Sequence, residues 1–154
     1  MIMKILNLTL LAVLTFAGAN VFSQSNSVFI VIDEIAENFL QLKSEYSDHS
    51  NVYVTDGISP NAVMQISNSM EDLQIDELHI YVSTKPGAIV FNSIAITTDN
   101  VNDMSVELKA LGEKVANKVV IHSEVVFTGN AGIQLKQSLE DITGLVFTTQ
   151  NGMN

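Results

Sequence analysis

The chain has 154 residues, a formal net charge of −10 at pH 7 and no cysteine. The lack of cysteine excludes disulfides, thiolate metal sites and a cysteine nucleophile. Seventeen acidic residues face seven lysines and no arginine, a balance that opposes binding to nucleic acid and to anionic membranes. The sequence contains no spaced calcium loop and no cofactor motif, so we expect neither a metal nor a cofactor.

The first residues have the pattern of a secretory signal peptide. Lys4 supplies a positive charge, an apolar run follows to Ala17, and cleavage after Ser23 would leave Gln24 first. The run is too short to span a bilayer comfortably, which favours cleavage over a retained membrane anchor. We therefore expect a signal peptide at 1–23, a linker at 24–27, one domain at 28–150 and a tail at 151–154. The mature protein would be secreted to the periplasm, cell surface or medium, with no membrane span.

Predicted strands alternate with predicted helices along the domain. Short apolar runs predict five buried strands, at Val28–Ile32, Val52–Val54, Leu78–Val82, Lys118–His122 and Leu145–Phe147. Apolar residues at helical spacing predict four helices between them, beginning near Glu34, Ser59, Thr98 and Gly129. The turn-rich residues 83–87 should form a loop after the third strand. Residues 88–91 and 94–97 then predict a β-hairpin around Asn92-Ser93.

Local residue preferences predict where these helices begin and end. Ser59 should cap the second helix, with Pro60 in its first position. Gly112 should end the third helix as a C-terminal glycine. In the last helix, the apolar residues predicted to face the core are Ile133, Leu135 and Leu139.

This alternation predicts an α/β fold, a three-layer αβα sandwich with a mostly parallel sheet and helices on both faces. The most economical strand order is 2-1-3-4-5, as in flavodoxin-like sheets, with the hairpin after the third strand. A crevice then opens at the carboxyl ends of strands one and three. Polar residues that follow the strands should gather around it: Asp33, Glu34, Asp56, Ser83, Thr84, His122, Ser123 and Glu124. The predicted binding rim is Asp33, Asp56, Thr84, Lys85 and Ser123.

Two stretches resemble the signature of a known family. His79-Ile80 and Pro86-Gly87-Ala88-Ile89 resemble the family's His-Ile-Val-Ser-His-Gly-Ser-Pro-Gly-Ala-Leu. Residues 122–132, followed by Ile142-Thr143-Gly144, resemble Tyr-Gly-Cys-Asn-Val-Ala-x-Gly-x-x-Gly and Leu-Thr-Gly. The family is a bacterial exported domain of unknown function, number 4347, similar to caspase-like peptidases of the CHAT and gingipain type. The resemblance spans roughly residues 28–150 and implies a caspase-like fold.

The chain departs from this family at both presumed catalytic positions. The family's presumed catalytic His falls on Ser83 and its presumed nucleophilic Cys on Glu124, while Ser123 replaces the preceding Gly. Neither serine nor glutamate can replace an imidazole and a thiolate in those roles. The resemblance therefore implies a catalytically inactive pseudopeptidase. It would act as a binding or cell-surface interaction module for an unidentified protein or surface partner.

Other functions remain open beside this one. A rebuilt hydrolase could use Ser83, His122 and Glu124 as a triad, although no G-x-S-x-G elbow is present. An acidic, cation-dependent adhesion domain would use Asp33 and Asp56.

Two further motifs are weaker. The acidic residues after strands one and two, together with Lys85-Pro86, superficially resemble a phosphorylation receiver, but a receiver places its Lys-Pro after the last strand. Gly129–Gly132 opens a helix that could hold an anion, but tight strand-to-helix packing is the interpretation that the sequence favours.

Overall fold

A computed structural model describes residues 27–57, 61–71 and 73–151. The predicted signal peptide, most of the predicted linker and the last three residues of the predicted tail lie outside these ranges. The strands are β1 (Val28–Asp33), β2 (Val52–Thr55), β3 (Ile75–Tyr81), β4 (Ser83–Lys85), β5 (Ala88–Val90), β6 (Ala95–Thr97), β7 (Val115–His122) and β8 (Val146–Gln150). The helices are α1 (Phe39–Glu45), α2 (Ala62–Ser69), α3 (Ser105–Gly112) and α4 (Gly129–Thr143), and a 3₁₀ turn at Val101–Met104 precedes α3.

The main sheet has five strands in the order β2-β1-β3-β7-β8, and every neighbouring pair is parallel. Counted along the main sheet alone, this is the predicted order 2-1-3-4-5. β3 is the central strand, and its Leu78 and Ile80 are almost fully enclosed. Parallel strands must have their connecting helices on the faces of the sheet, so the order also fixes where the helices lie.

Helices cover both faces, which confirms the three-layer α/β prediction. On one face, α2, α3 and α4 enclose the larger core, which includes Val31, Leu78 and Val119. On the other face, α1 packs Leu42 against Ile32 in a smaller core. Burying a leucine side chain stabilises the fold by roughly 1.5–3 kcal/mol, so the larger core carries most of the stability.

Residues after β3 form a small antiparallel sheet in the order β4-β5-β6. The predicted hairpin is present as β5 and β6, but the predicted loop at 83–87 is mostly strand, because Ser83–Lys85 pairs with β5. Only Pro86-Gly87 turns the chain, and Gly87 has a φ of 74°, a conformation that glycine adopts without strain.

Several predicted details of the helices differ from the structure. The N-cap of α2 is Asn61, whose side chain accepts the Met64 N–H at 3.0 Å; Ser59 and Pro60 lie outside the described residues. Gly112 is the last residue of α3, as predicted, but it does not have a left-handed conformation. A Cβ there would approach the carbonyl oxygen of Thr143 to 2.5 Å. Its role is therefore close packing of α3 on α4 rather than a left-handed cap.

The inward face of α4 is predicted correctly at Leu135 and Leu139 and wrongly at Ile133. Ile133 is 60% exposed, whereas Gly132, Leu135 and Leu139 are buried. The buried residues recur at intervals of three and four, and Ile133 is turned roughly 100° away from Gly132 around the helix.

Candidate functional site

A cleft of about 580 Å³ opens at the carboxyl ends of β3 and β7. Its walls are residues 35–38 with Leu42 of α1, residues 81–84 at the end of β3, and residues 122–125 after β7. This is the edge of a parallel sheet where ligands bind in open α/β folds. Ser83, Thr84, His122, Ser123 and Glu124 all line the cleft, so the structure brings together five residues that the sequence predicted for this edge.

Thr84 and Ser123 form a fixed link between the two strand ends. Their hydroxyl oxygens are 2.6 Å apart, and Ser123 Oγ also accepts the N–H groups of Val125 and Val126 at 3.1 and 3.2 Å. Because both of its acceptor sites are engaged, Ser123 is the donor to Thr84. Ser123 therefore holds the turn after β7 against β4 and is itself buried.

His122 is held by neighbours on its own face of the sheet. Its Nε2 lies 3.0 Å from Nδ1 of His79, and its ring stacks on Tyr81 with centroids 3.8 Å apart. No hydrogen bond joins His122 to Ser83 or to Glu124 in the described part of the chain. The three residues of the alternative triad thus share a cleft without forming the hydrogen bonds that a triad requires.

The donors and acceptors in the hydrogen bonds that join Glu77, His79 and His122 can be assigned by starting from the charge of Glu77. Burial would raise the pKa of Glu77, but hydrogen bonds with His79 and Lys118 outweigh it and lower that pKa. The ionised carboxylate only accepts, so His79 donates from Nε2, which lies 3.2 Å from Glu77 Oε2. When His79 is neutral, its Nδ1 then accepts a proton from Nε2 of His122. His122 Nδ1 is left with a lone pair, and this buried atom has no hydrogen-bond partner.

Burial changes the pKa of two side chains in the cleft wall. The pKa of His122 falls to about 4, first because the ring is partly buried and then because His79 lies beside it. The pKa of Tyr81 is raised, chiefly by burial and then by a hydrogen bond to the Tyr46 hydroxyl at 2.8 Å. At neutral pH the cleft therefore contains an uncharged histidine and an uncharged phenol.

The remaining residues predicted for the crevice or for its binding rim do not line the cleft. Asp33 is buried and accepts the Thr55 hydroxyl at 2.5 Å and the N–H groups of Ile35 and Asn92. Glu34 is bonded to the side-chain amide of Asn92. Exposed Asp56 accepts from Gln65, and Lys85 is exposed on β4.

The cleft wall also contains Glu37 and Asn38, which the sequence did not indicate as site residues. The sequence predicts helix through this stretch because Ile35, Phe39 and Leu42 have helical spacing. The helix begins only at Phe39, because Asn38 has a left-handed φ of 60°. Asparagine tolerates this conformation better than most residues. Asn38 was therefore the feature of the sequence that could have indicated a later start of the helix.

Some kinds of site are not found in the described residues. No group of three or more His, Cys, Asp or Glu side chains there could hold a metal ion. None of the helices within the described ranges is long and apolar enough to cross a membrane.

Gly132 belongs to the stretch Gly129–Gly132, for which the sequence left open an anion site or tight packing. A Cβ at Gly132 would approach the backbone of Phe127 to 2.5 Å. This glycine therefore has a packing role.

Comparisons with known proteins give one match. A family model described as "Domain of unknown function (DUF4347)" matches residues 29–152. No curated protein and no solved structure matches the chain.

Proposed function

The chain belongs to the family described as a domain of unknown function (DUF4347), and from this premise we propose that it is a catalytically inactive binding module. In this proposal it is a degenerate relative of caspase-like peptidases, with Ser83 and Glu124 at the former catalytic positions. The cleft then serves to hold a partner protein or surface component rather than to cleave it.

One observation carries this proposal. Ser83 and Glu124 line one cleft at the ends of neighbouring strands, where the family resemblance expects an imidazole and a thiol. The only histidine of the cleft wall among the described residues, His122, uses Nε2 to bond His79. A cleft that contains no hydrogen-bonded nucleophile–base pair among the described residues supports binding without chemistry.

Secretion belongs to the same proposal. The pattern of residues 1–23 is that of a signal peptide, and a chain without cysteine needs no oxidative folding after export. The strongly negative charge keeps such a protein soluble. We therefore propose that the module acts outside the cytoplasm, on a partner at or beyond the cell surface.

The second candidate function is a hydrolase with a rebuilt Ser83–His122–Glu124 site. It is favoured by one observation, namely that all three side chains line the same cleft. For this chemistry His122 would have to leave His79 and reach the Ser83 hydroxyl.

A turnover assay separates the two candidates. The full chain, produced with its own N-terminal segment, is offered peptide and ester substrates beside the variants Ser83→Ala and Ser93→Ala. We expect no turnover by any of the three proteins, because no base is positioned to activate Ser83. Turnover that Ser83→Ala abolishes and Ser93→Ala preserves would contradict the binding-module proposal and establish the hydrolase.

A further inference from the structure

β4 forms one edge of the small antiparallel sheet, and its pairing with β5 shows where its backbone groups point. Lys85 lies opposite Ala88 across the two-residue turn Pro86-Gly87. Antiparallel pairs alternate between hydrogen-bonded and non-hydrogen-bonded kinds. If Lys85 and Ala88 were a non-hydrogen-bonded pair, the next hydrogen bond towards the turn would be donated by the backbone N–H of Pro86, which proline lacks. Lys85 and Ala88 are therefore a hydrogen-bonded pair. The neighbouring pair, Thr84 and Ile89, is then a non-hydrogen-bonded pair.

The N–H and C=O groups of Thr84 consequently point away from β5. Within residues 27–57, 61–71 and 73–151, no other backbone group bonds to them. Thr84 also lines the cleft, and its side chain is fixed by Ser123. An unpaired strand edge beside a cleft is the geometry that an extended peptide uses when it adds a strand to a sheet.

The charges of the cleft indicate what such a peptide carries. Glu37 comes from the turn before α1 and Glu124 from the turn after β7, so carboxylates line two different walls. Neither takes part in an ion pair among the described residues, and no lysine of the described ranges lines the cleft. The field inside the cleft is therefore negative, which favours a cationic group.

From these observations we infer that the cleft binds an extended peptide segment that contains lysine or arginine. The segment pairs with the backbone of Thr84 as an added strand and places its cationic side chain between Glu37 and Glu124. This inference rests on the proposed function, since it names the class of partner that the cleft of the binding module holds. Side chains alternate along a strand, so only every second residue of the segment would enter the cleft.

The first test measures which peptides the full chain retains. Three heptapeptide libraries are passed over the immobilised protein, with only the central residue fixed as lysine, glutamine or glutamate. Because the cleft is negative, we expect the lysine library to be retained at least about tenfold more strongly than the glutamate library. A tenfold ratio corresponds to a difference of about 1.4 kcal/mol in binding free energy. Equal retention of the three libraries would overturn the cationic part of the inference.

Charge variants locate the effect in the cleft. The double variant Glu37→Gln/Glu124→Gln is compared with Glu113→Gln/Asp141→Asn, which changes the net charge equally. Glu113 precedes β7, and Asp141 lies in the last turn of α4 before β8. Both control residues are therefore near the amino ends of the strands, whereas the cleft is at the carboxyl ends. We expect the cleft variant to lose about tenfold in affinity for the strongest lysine peptide and the control variant less than about twofold. Equal losses in both variants would overturn the inference.

N-methylation of the peptide backbone tests strand addition. Each residue of the strongest lysine peptide is N-methylated in turn, which removes one backbone donor at a time. Strand addition predicts that the methylated position which pairs with Thr84 loses about tenfold or more, while its neighbours lose little. Losses without this alternation, or no binding by any library, would overturn the inference. The proposed function would then still be judged by the turnover assay, because that assay does not depend on the class of ligand.

Discussion

Side chains at the ends of β1 and β7 are bonded to neighbouring segments of the chain, and these bonds decide which side chains remain available to a ligand. Asp33 uses its carboxylate on Thr55, Ile35 and Asn92, so it joins β1, β2 and the residues after β5. The sequence places Asp33 correctly at the end of a strand, but it cannot show that three donors converge on it. Those donors come from segments up to 59 residues away in the chain.

The lowered pKa of His122 predicts that the stability of the fold depends on pH. The pKa of this side chain is about 4 in the folded chain against 6.5 for an unperturbed histidine. Between these two pH values mainly the unfolded chain binds the proton, so the free energy of unfolding falls as pH decreases from 6.5 to 4. Because the group is only partly buried, we expect a loss of at most about 2 kcal/mol after solvent screening.

Urea unfolding of His122→Phe and His49→Phe, measured at pH 4.5 and 7, checks this prediction. Phenylalanine at position 122 keeps the stack on Tyr81 and removes the titration, so the stability difference between the two pH values should shrink by about 1–2 kcal/mol. The exposed His49 is the matched control and should keep the difference of the native chain. A difference that is unchanged in His122→Phe would contradict the account.

At the scale of elements, the sequence predicts every strand of the main sheet and misplaces several ends. β3 and β7 begin at Ile75 and Val115, three residues earlier than their apolar runs. Glu77 is among the added residues of β3, and it forms an ion pair at 3.1 Å with Lys118, where the predicted part of β7 begins. Glu77 is partly exposed, so an apolar run could not indicate that β3 extends this far.

The tip of the β4–β5 hairpin gives a prediction at the same scale. A Cβ at Gly87 would lie 2.6 Å from Cβ of Ala131, whereas a Cβ at Gly129 would meet nothing within 4 Å. Both glycines have a positive φ, so alanine costs about 1–2 kcal/mol of conformational strain at either position. Gly87→Ala also forces the hairpin away from α4.

We expect urea unfolding to show that Gly87→Ala lowers the free energy of unfolding by about 3 kcal/mol and Gly129→Ala by about 1 kcal/mol. The difference between the two variants isolates the contact of the hairpin with α4 from backbone strain. Equal losses would mean that the hairpin tip does not pack on α4 as described.

At the scale of the whole molecule, the cleft is assembled from three segments that are distant in the sequence. The alternation of strands and helices predicts two of its walls, because the carboxyl ends of adjacent parallel strands meet at one edge. The third wall contains Glu37, and its place depends on the left-handed turn at Asn38. A single backbone conformation of this kind has no periodic pattern, whereas the spacing of Ile35, Phe39 and Leu42 predicts helix there.

The claim that the cleft is a binding site is tested most directly by amide spectra of the isotope-labelled full chain during titration with the strongest lysine peptide. The account predicts shift changes concentrated at residues 37–38, 83–85 and 123–125, with the Thr84 amide becoming protected from hydrogen exchange and the peptide remaining intact. Shift changes confined to other surfaces, or cleavage of the peptide during the titration, would contradict it.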